Sequence, residues 1–213
     1  MTASLELTQF AHEHMGEEDP ILQELYRETH LKVLHPRMLS GFWQGKLLQM
    51  ITAMIRPRNI LEIGTYTAYS ALYMAKALPE GAKIHTIEVN DELESFIRKW
   101  IERAGASDQI ELHIGNALEI IPQLEGPFDM VFMDGEKSEY VEYYELLMQI
   151  LPSGSFILAD NIFWDGKVFE PAVKSNDYST KGILKFNQMV KDDNRVEKVI
   201  LPLRDGIFLI RKK

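Results

Sequence analysis

A chain of 213 residues that is 46% hydrophobic can bury one sizeable core, and its formal net charge of −9 sets up a surface field that repels nucleic acid and anionic lipid. A small-molecule partner is therefore favoured, and the absence of cysteine excludes disulfides, thiolate metal sites and cysteine nucleophiles. No apolar run approaches the ~20 residues of a membrane-spanning helix and the first residues lack a leader's basic start and apolar stretch, so a cytoplasmic location without a membrane partner is expected.

Residues 4–34 read as helical and charged, and 37–55 carries Met38, Phe42, Leu47, Leu48, Ile51 and Ile55 near helical spacing. After Pro57 strands and helices alternate: strand 60–64, helix 69–78, strand 83–89, helix 91–104, strand 110–115, helix 117–124, strand 128–134, helix 140–151, strand 156–160, helix 183–190. That alternation predicts an α/β fold with a doubly wound, mostly parallel sheet preceded by extra helices. The β-rich runs 196–203 and 207–211, joined by Arg204-Asp205-Gly206, read as a C-terminal antiparallel hairpin that closes a seven-stranded sheet. The polar stretch 174–181 is expected to be a loop, and the whole chain one domain: helices over 1–56 and the α/β core over 57–213.

The run Asn59-Ile-Leu-Glu-Ile-Gly64-Thr-Tyr-Thr-Ala-Tyr-Ser70 is an apolar strand that ends in glycine and opens a helix. Gly64 allows a close backbone approach, and the helix N-terminus offers free N–H groups to an anionic or polar ligand. A pyrophosphate-binding turn would carry G-x-G-x-x-G, whereas this one has a single glycine, which speaks against NAD. Glu88, at the end of the next strand, is spaced to take both hydroxyls of a ribose, and with Gly64 it implies a nucleoside-containing ligand.

Phe128-Asp-Met-Val-Phe-Met-Asp134 and Ser155-Phe-Ile-Leu-Ala-Asp160-Asn161 are successive strands ending in oxygen donors. Parallel neighbours lie roughly 5 Å apart and such sheets bind ligands beyond their carboxyl ends, so Asp134, Asp160 and Asn161 converge on a site for a hard divalent cation: Mg²⁺, Ca²⁺ or Mn²⁺ rather than zinc. Lys137 can turn back over the same strand end as a general base, because a neighbouring cation disfavours its charged form. Phe163 and Trp164 are placed to wall a flat substrate. The six histidines form no metal pattern beyond His12-x-His14, and neither a G-x-S-x-G elbow nor a P-loop is present.

These residues resemble the class I S-adenosylmethionine-dependent O-methyltransferases, in the cation-dependent catechol and caffeoyl-coenzyme A group and its bacterial branch. The resemblance covers nearly the whole chain. Leu61-Glu62-Ile-Gly64-Thr-Tyr66-Thr-Ala-Tyr-Ser70 is similar to the family's methyl-donor loop, Glu88 to its ribose acid and Gly115-Asn116-Ala117 to its adenine edge. Phe132-Met-Asp134-Gly-Glu-Lys137 and Ala159-Asp160-Asn161-Ile-Phe-Trp164 resemble its metal and base motifs. Asp205-Gly206-Ile-Phe is similar to its terminal hairpin, and Met38-Leu-Ser40-Gly41 with Gly45 to the segment that folds over the donor. Ala68 stands where the family usually has glycine, and Asn116 where bacterial members often have an acid.

The resemblance implies S-adenosylmethionine held by Met38, Ser40, Glu62, Gly64, Tyr66, Ser70, Glu88, Asn116, Ala117 and Asp134, a cation at Asp134, Asp160 and Asn161, and Lys137 as base. It implies an aromatic acceptor with adjacent hydroxyls. The alternatives are methylation of a hydroxylated tRNA nucleoside, marked by a basic stripe around Lys167, Lys174, Lys181, Lys185 and Lys191, and a catalytically idle donor-binding module. A homodimer is expected from the family's habit and from Phe42, Trp43 and Leu47.

Overall fold

The computed structural model describes residues 5–213, so Ser4, the expected start of the first helix, lies outside them. The N-terminal helical stretch is divided into α1 (Leu5–His14) and α2 (Pro20–Lys32). Gly16 breaks it with a φ of 78°, and Asp19 caps the second helix by accepting from the Ile21 N–H at 2.8 Å. Pro20 occupies the first helical position, where its missing N–H costs nothing. A 3₁₀ turn at Pro36–Met38 then leads into α3 (Gly41–Ile55).

The α/β part runs β1 (Asn59–Ile63), α4 (Tyr69–Ala75), β2 (Lys83–Glu88), α5 (Glu94–Arg103), β3 (Ile110–Ile114) and α6 (Ala117–Ile120). It continues through β4 (Met130–Met133), α7 (Tyr140–Ile150), β5 (Phe156–Ala159), α8 (Tyr178–Asp192), β6 (Val196–Leu201) and β7 (Ile207–Lys212). The seven strands lie in the order β3-β2-β1-β4-β5-β7-β6, with β1 to β5 parallel and β7 antiparallel to both its neighbours.

The C-terminal hairpin therefore closes the sheet as expected, with β7 inside it and β6 at the edge. The reason lies in the two strands' sequences: β7 buries Ile207, Phe208 and Ile210, whereas β6 exposes Glu197 and Lys198, charges suited to an edge. Two expectations change. Residues 178–181 are helix, not loop, because Asp177 caps α8 by accepting from the Thr180 N–H at 3.0 Å. The helix expected over 117–124 is one short turn, α6, followed by a 3₁₀ turn at Ile121–Gln123 around Pro122, whose ring removes a helical N–H.

Alternation along the strands builds a core on each face. Ile60, Met130, Phe132 and Leu158 pack with α2 to α5, while Leu61, Ile63, Val131, Met133 and Ile157 pack with α6 to α8. Each such fully buried aliphatic side chain contributes about 1.5–3 kcal/mol by leaving water. Phe42, expected at a dimer contact, is buried in the first core and packs beside His12, with Leu47 against the same cluster; the large apolar side chains that α3 exposes are Met50 and Met54. Among the described residues no helix is long and apolar enough to cross a membrane.

Candidate functional site

Strand register lines up the chemistry. Ile63 is level with Ile87 on one side and with Met133 on the other, and Met133 is level with Ala159. The next residue of each strand is thus Gly64, Glu88, Asp134 or Asp160, a row of one glycine and three acids along the sheet's carboxyl edge. Backbone bonds hold it: Gly64 N–H to Ile87 at 2.9 Å, Asp134 N–H to Ile63 at 2.8 Å and Asp160 N–H to Met133 at 3.0 Å. Above this row lies a cavity of about 1030 Å³, at the point where strand order reverses about β1.

Gly64 has a φ of 98°, and a Cβ there would strike the carbonyl of Asp134. Glycine is thus needed for β1 and β4 to close on one another, which sets Asp134 beside the β1 loop. That loop is fastened to Glu88, whose carboxylate accepts the Tyr66 N–H at 2.7 Å and the Asn90 N–H at 2.9 Å. Burial raises the pKa of Glu88, against those backbone donors. Tyr66 in turn donates its hydroxyl to the Leu34 carbonyl at 2.9 Å, tying the loop to the N-terminal segment. Ala68 takes a φ of 66°, which costs an alanine about 1–2 kcal/mol. Its methyl is fully buried, which returns about 0.8 kcal/mol, so the turn keeps its shape without glycine.

Past β3, Asn116 spends its side-chain carbonyl on the Leu118 N–H at 2.8 Å, capping α6, which leaves its amide N–H groups for a ligand. Asn116 and Ala117 line the cavity together with Met38, Gly64, Tyr66, Glu88 and Asp134. Ser40, Glu62 and Ser70 do not. Ser40 is buried ahead of α3, and Ser70 is buried in α4.

Glu62 lies behind the wall, fully buried, accepting from the Thr86 hydroxyl at 2.5 Å while its Oε1 makes no hydrogen bond. Burial raises its pKa to about 7. A carboxyl raised in the folded state adds stability that is complete below its ordinary value of 4.5 and is lost as pH climbs through about 7. Glu62→Gln should therefore match the parent near pH 4 and exceed it by up to about 3 kcal/mol above pH 8, read from denaturant midpoints without ligand. A constant difference across that range would show that Glu62 stays charged.

At the other end, Asp160 is buried and Asn161 follows with a left-handed φ of 59°. Asp160 accepts from the Asn161 N–H at 2.7 Å and from the Gln44 amide at 2.5 Å. Burial, and then the nearby Asp134 carboxylate, hold its pKa above the usual range. Two crowded carboxylates and an amide oxygen form an all-oxygen donor set short of positive charge, which fits an oxygen-seeking divalent cation. Lys137, in the 3₁₀ turn Lys137–Glu139, is buried; its Nζ donates to Asp134 Oδ1 at 2.6 Å and to the Tyr140 hydroxyl at 2.8 Å. Gly182 of α8 packs on the Lys137 carbonyl, where a Cβ would collide, so the helix bears directly on this turn.

Several residues here escape sequence reasoning. Gln44 of α3 and Arg204 of the β6–β7 turn form a chain, with Arg204 donating to the carbonyls of Ser40 and Leu39 and to Gln44 Oε1 at 3.0 Å, and Gln44 donating to Asp160. Glutamine inside an apolar helix was the available signal, and it carried no spacing clue. Of the expected aromatic wall, Trp164 lines the cavity, while Phe163 packs against Phe169 at 5.7 Å. Within the basic stripe, Lys167 pairs with Asp177 at 3.4 Å and Lys181 donates to the Ser175 carbonyl at 2.6 Å, so both are engaged locally.

Comparison with known proteins gives a consistent picture. The O-methyltransferase family profile matches residues 12–213. A catechol O-methyltransferase from Niastella koreensis is 37% identical over 164 residues, 75% of this chain and 73% of the relative. Caffeoyl-CoA O-methyltransferase 1 from Eucalyptus globulus is 35% identical over 184 residues, 82% of this chain and 75% of the relative. Among solved structures, the O-methyltransferase TomG from Streptomyces achromogenes, in complex with SAM, superposes with a TM-score of 0.89 at 27% identity, covering 98% of this chain and 96% of its own.

Proposed function

The chain belongs to the O-methyltransferase family, and from that premise we propose that it moves the methyl group of S-adenosylmethionine to one hydroxyl of a small catechol-like or hydroxycinnamoyl-type acceptor, assisted by a divalent cation. The observation that carries this reading is the single cavity in which Glu88 and Asn116 stand at one end and Asp134, Lys137 and Asp160 at the other. A methyl donor and an acceptor need such a shared space, and at about 1030 Å³ the cavity is large enough for both.

Glu88 would take the ribose hydroxyls, its carboxylate already oriented by two backbone N–H groups. Asn116 would offer amide N–H groups to the base. Asp134, Asp160 and Asn161 would hold the cation, which when bound supplies Lewis-acid pull on a phenol whose ordinary pKa is about 10. Lys137, as the neutral amine held beside Asp134 and the Tyr140 hydroxyl, would accept the hydroxyl proton and become the ammonium. Trp164 would flank the acceptor ring, and the N-terminal segment carrying Met38 would cover the donor. The row of fixed groups contributes chiefly by positioning, since methyl transfer from a sulfonium neutralises charge as it proceeds.

S-adenosylmethionine and S-adenosylhomocysteine should each bind and raise the melting temperature, as any ligand specific for the folded state does, and NAD should do neither. Calorimetric binding of NAD with no heat from either sulfur nucleoside would overturn the assignment. Labelled donor presented with catechols, hydroxycinnamoyl thioesters and unmodified tRNA would identify the acceptor class. Glu88→Ala should weaken donor binding by about 1–3 kcal/mol through lost charge-assisted hydrogen bonds, with the fold retained. Unchanged affinity in that variant would make Glu88 a fastener of the β1 loop alone.

A further inference from the structure

Away from this cavity, β2 and β3 bring together His85, Glu111 and His113. His85 is level with Glu111 in the parallel register, and Glu111 and His113 are two apart on β3, so all three project from the same face. It is the face packed by α6 to α8, but α6 is a single turn, and this corner of the sheet is incompletely covered. The imidazoles are largely buried, with side-chain exposures of 13% and 18%, and Glu111 at 60% reaches them from the rim. The rings lie nearly parallel with centroids 5.5 Å apart, and Phe128 meets His85 edge-on, fixing its plane.

The distances suit shared coordination. His85 Nδ1 lies 3.2 Å from His113 Nε2, with Glu111 carboxylate oxygens 3.7 Å from the first and 3.8 Å from the second. Two imidazoles on a tetrahedral zinc ion, at bond lengths of about 2.0–2.1 Å, hold their nitrogens about 3.3 Å apart. The nearest cations are occupied elsewhere: Lys83 donates to the Asp108 carbonyl and Arg98 to Glu94. Burial lowers the pKa of both histidines, which favours the neutral imidazole, in which one ring nitrogen keeps its proton and the other is open to a metal.

We propose that His85, His113 and Glu111 form a second metal site, selective for Zn²⁺ over Mg²⁺, that clamps β3 to β2 and keeps one coordination position open to solvent. Its nitrogen-rich donors separate it from the all-oxygen set at Asp134, Asp160 and Asn161, so the two sites sort metals by ligand type. The same contact without metal would be a simple imidazole–imidazole hydrogen bond, and the experiment distinguishes the two.

Zinc chloride is titrated calorimetrically into the full chain in excess Mg²⁺, with melting curves alongside. The parent should bind one Zn²⁺ more tightly than about micromolar and melt higher with it. Asp160→Asn should keep this site, whereas His113→Gln should weaken it by about a hundredfold and the rim substitution Glu111→Gln by about tenfold. Copper(II) on the parent should show superhyperfine splitting from two nitrogens, an observation that needs no variant to fold. Zinc binding that survives His113→Gln, that disappears with Asp160→Asn, or that is missing from the parent, or a copper spectrum without two nitrogens, would reduce the trio to a hydrogen-bonded pair beside a surface glutamate.

Discussion

Asp160→Ala is expected to remove cation-dependent methyl transfer almost entirely while leaving the methyl donor bound. Asp160 is one of two carboxylates in the donor set, and the other, Asp134, already accepts from Lys137. Without Asp160, one carboxylate and one amide oxygen would have to hold a doubly charged ion against water, which is too little charge. Losing a Lewis acid worth several kcal/mol to the transition state corresponds to a rate loss of at least about 10³-fold. Donor affinity should be nearly unchanged, because Glu88, Asn116 and Ala117 lie at the other end of the cavity. The folded state should tolerate the change: Asp160 sits buried near Asp134, and burial and that neighbour hold its pKa up, so the removed group is one the fold strains to keep charged. Gln44 loses an acceptor but keeps Arg204. Activity with and without EDTA, beside a donor titration, decides the matter. A parent fully active in EDTA would refute the role given to the cation, whatever the variant does.

How far the sequence leads depends on how local each cause is. The parallel strands are legible because each is a short apolar run ending in a polar or glycine residue, and the row Gly64, Glu88, Asp134 and Asp160 follows once those runs are aligned. The order of the two hairpin strands has a different origin. A hairpin signal at Arg204–Gly206 fixes that two strands pair, but which of them enters the sheet depends on how the charges of β6 compare with the apolar side chains of β7. Helix boundaries moved where one side chain decides them, as Asp177 does for α8 and Pro122 for the end of α6. The Arg204–Gln44–Asp160 chain is illegible for a stronger reason: Gln44 lies 116 residues from Asp160 and 160 from Arg204, and glutamine and arginine carry no spacing signature. Glu62 and Ser70 show the converse limit, since residues in a motif-like loop lie beside the cavity wall without reaching its surface.

Lys137→Ala should lower the rate by about 10²–10⁴-fold, the usual range for removal of a general base, while leaving cation and donor binding in place. The rate should recover in part at high pH, as the acceptor hydroxyl ionises without help. Geometry sharpens the test, because Lys137 also pairs with Asp134 and donates to the Tyr140 hydroxyl, so a merely structural or electrostatic role must be separated from proton transfer. Lys137→Arg does this. Guanidinium keeps the positive charge and can keep the bond to Asp134, but it does not release its proton in water and so has no site to accept one. If Lys137 works as the base, the arginine variant should be as slow as the alanine variant and should share its recovery at high pH. Should arginine instead restore the parent rate at neutral pH, Lys137 acts through its charge on Asp134, and the acceptor proton leaves by another route.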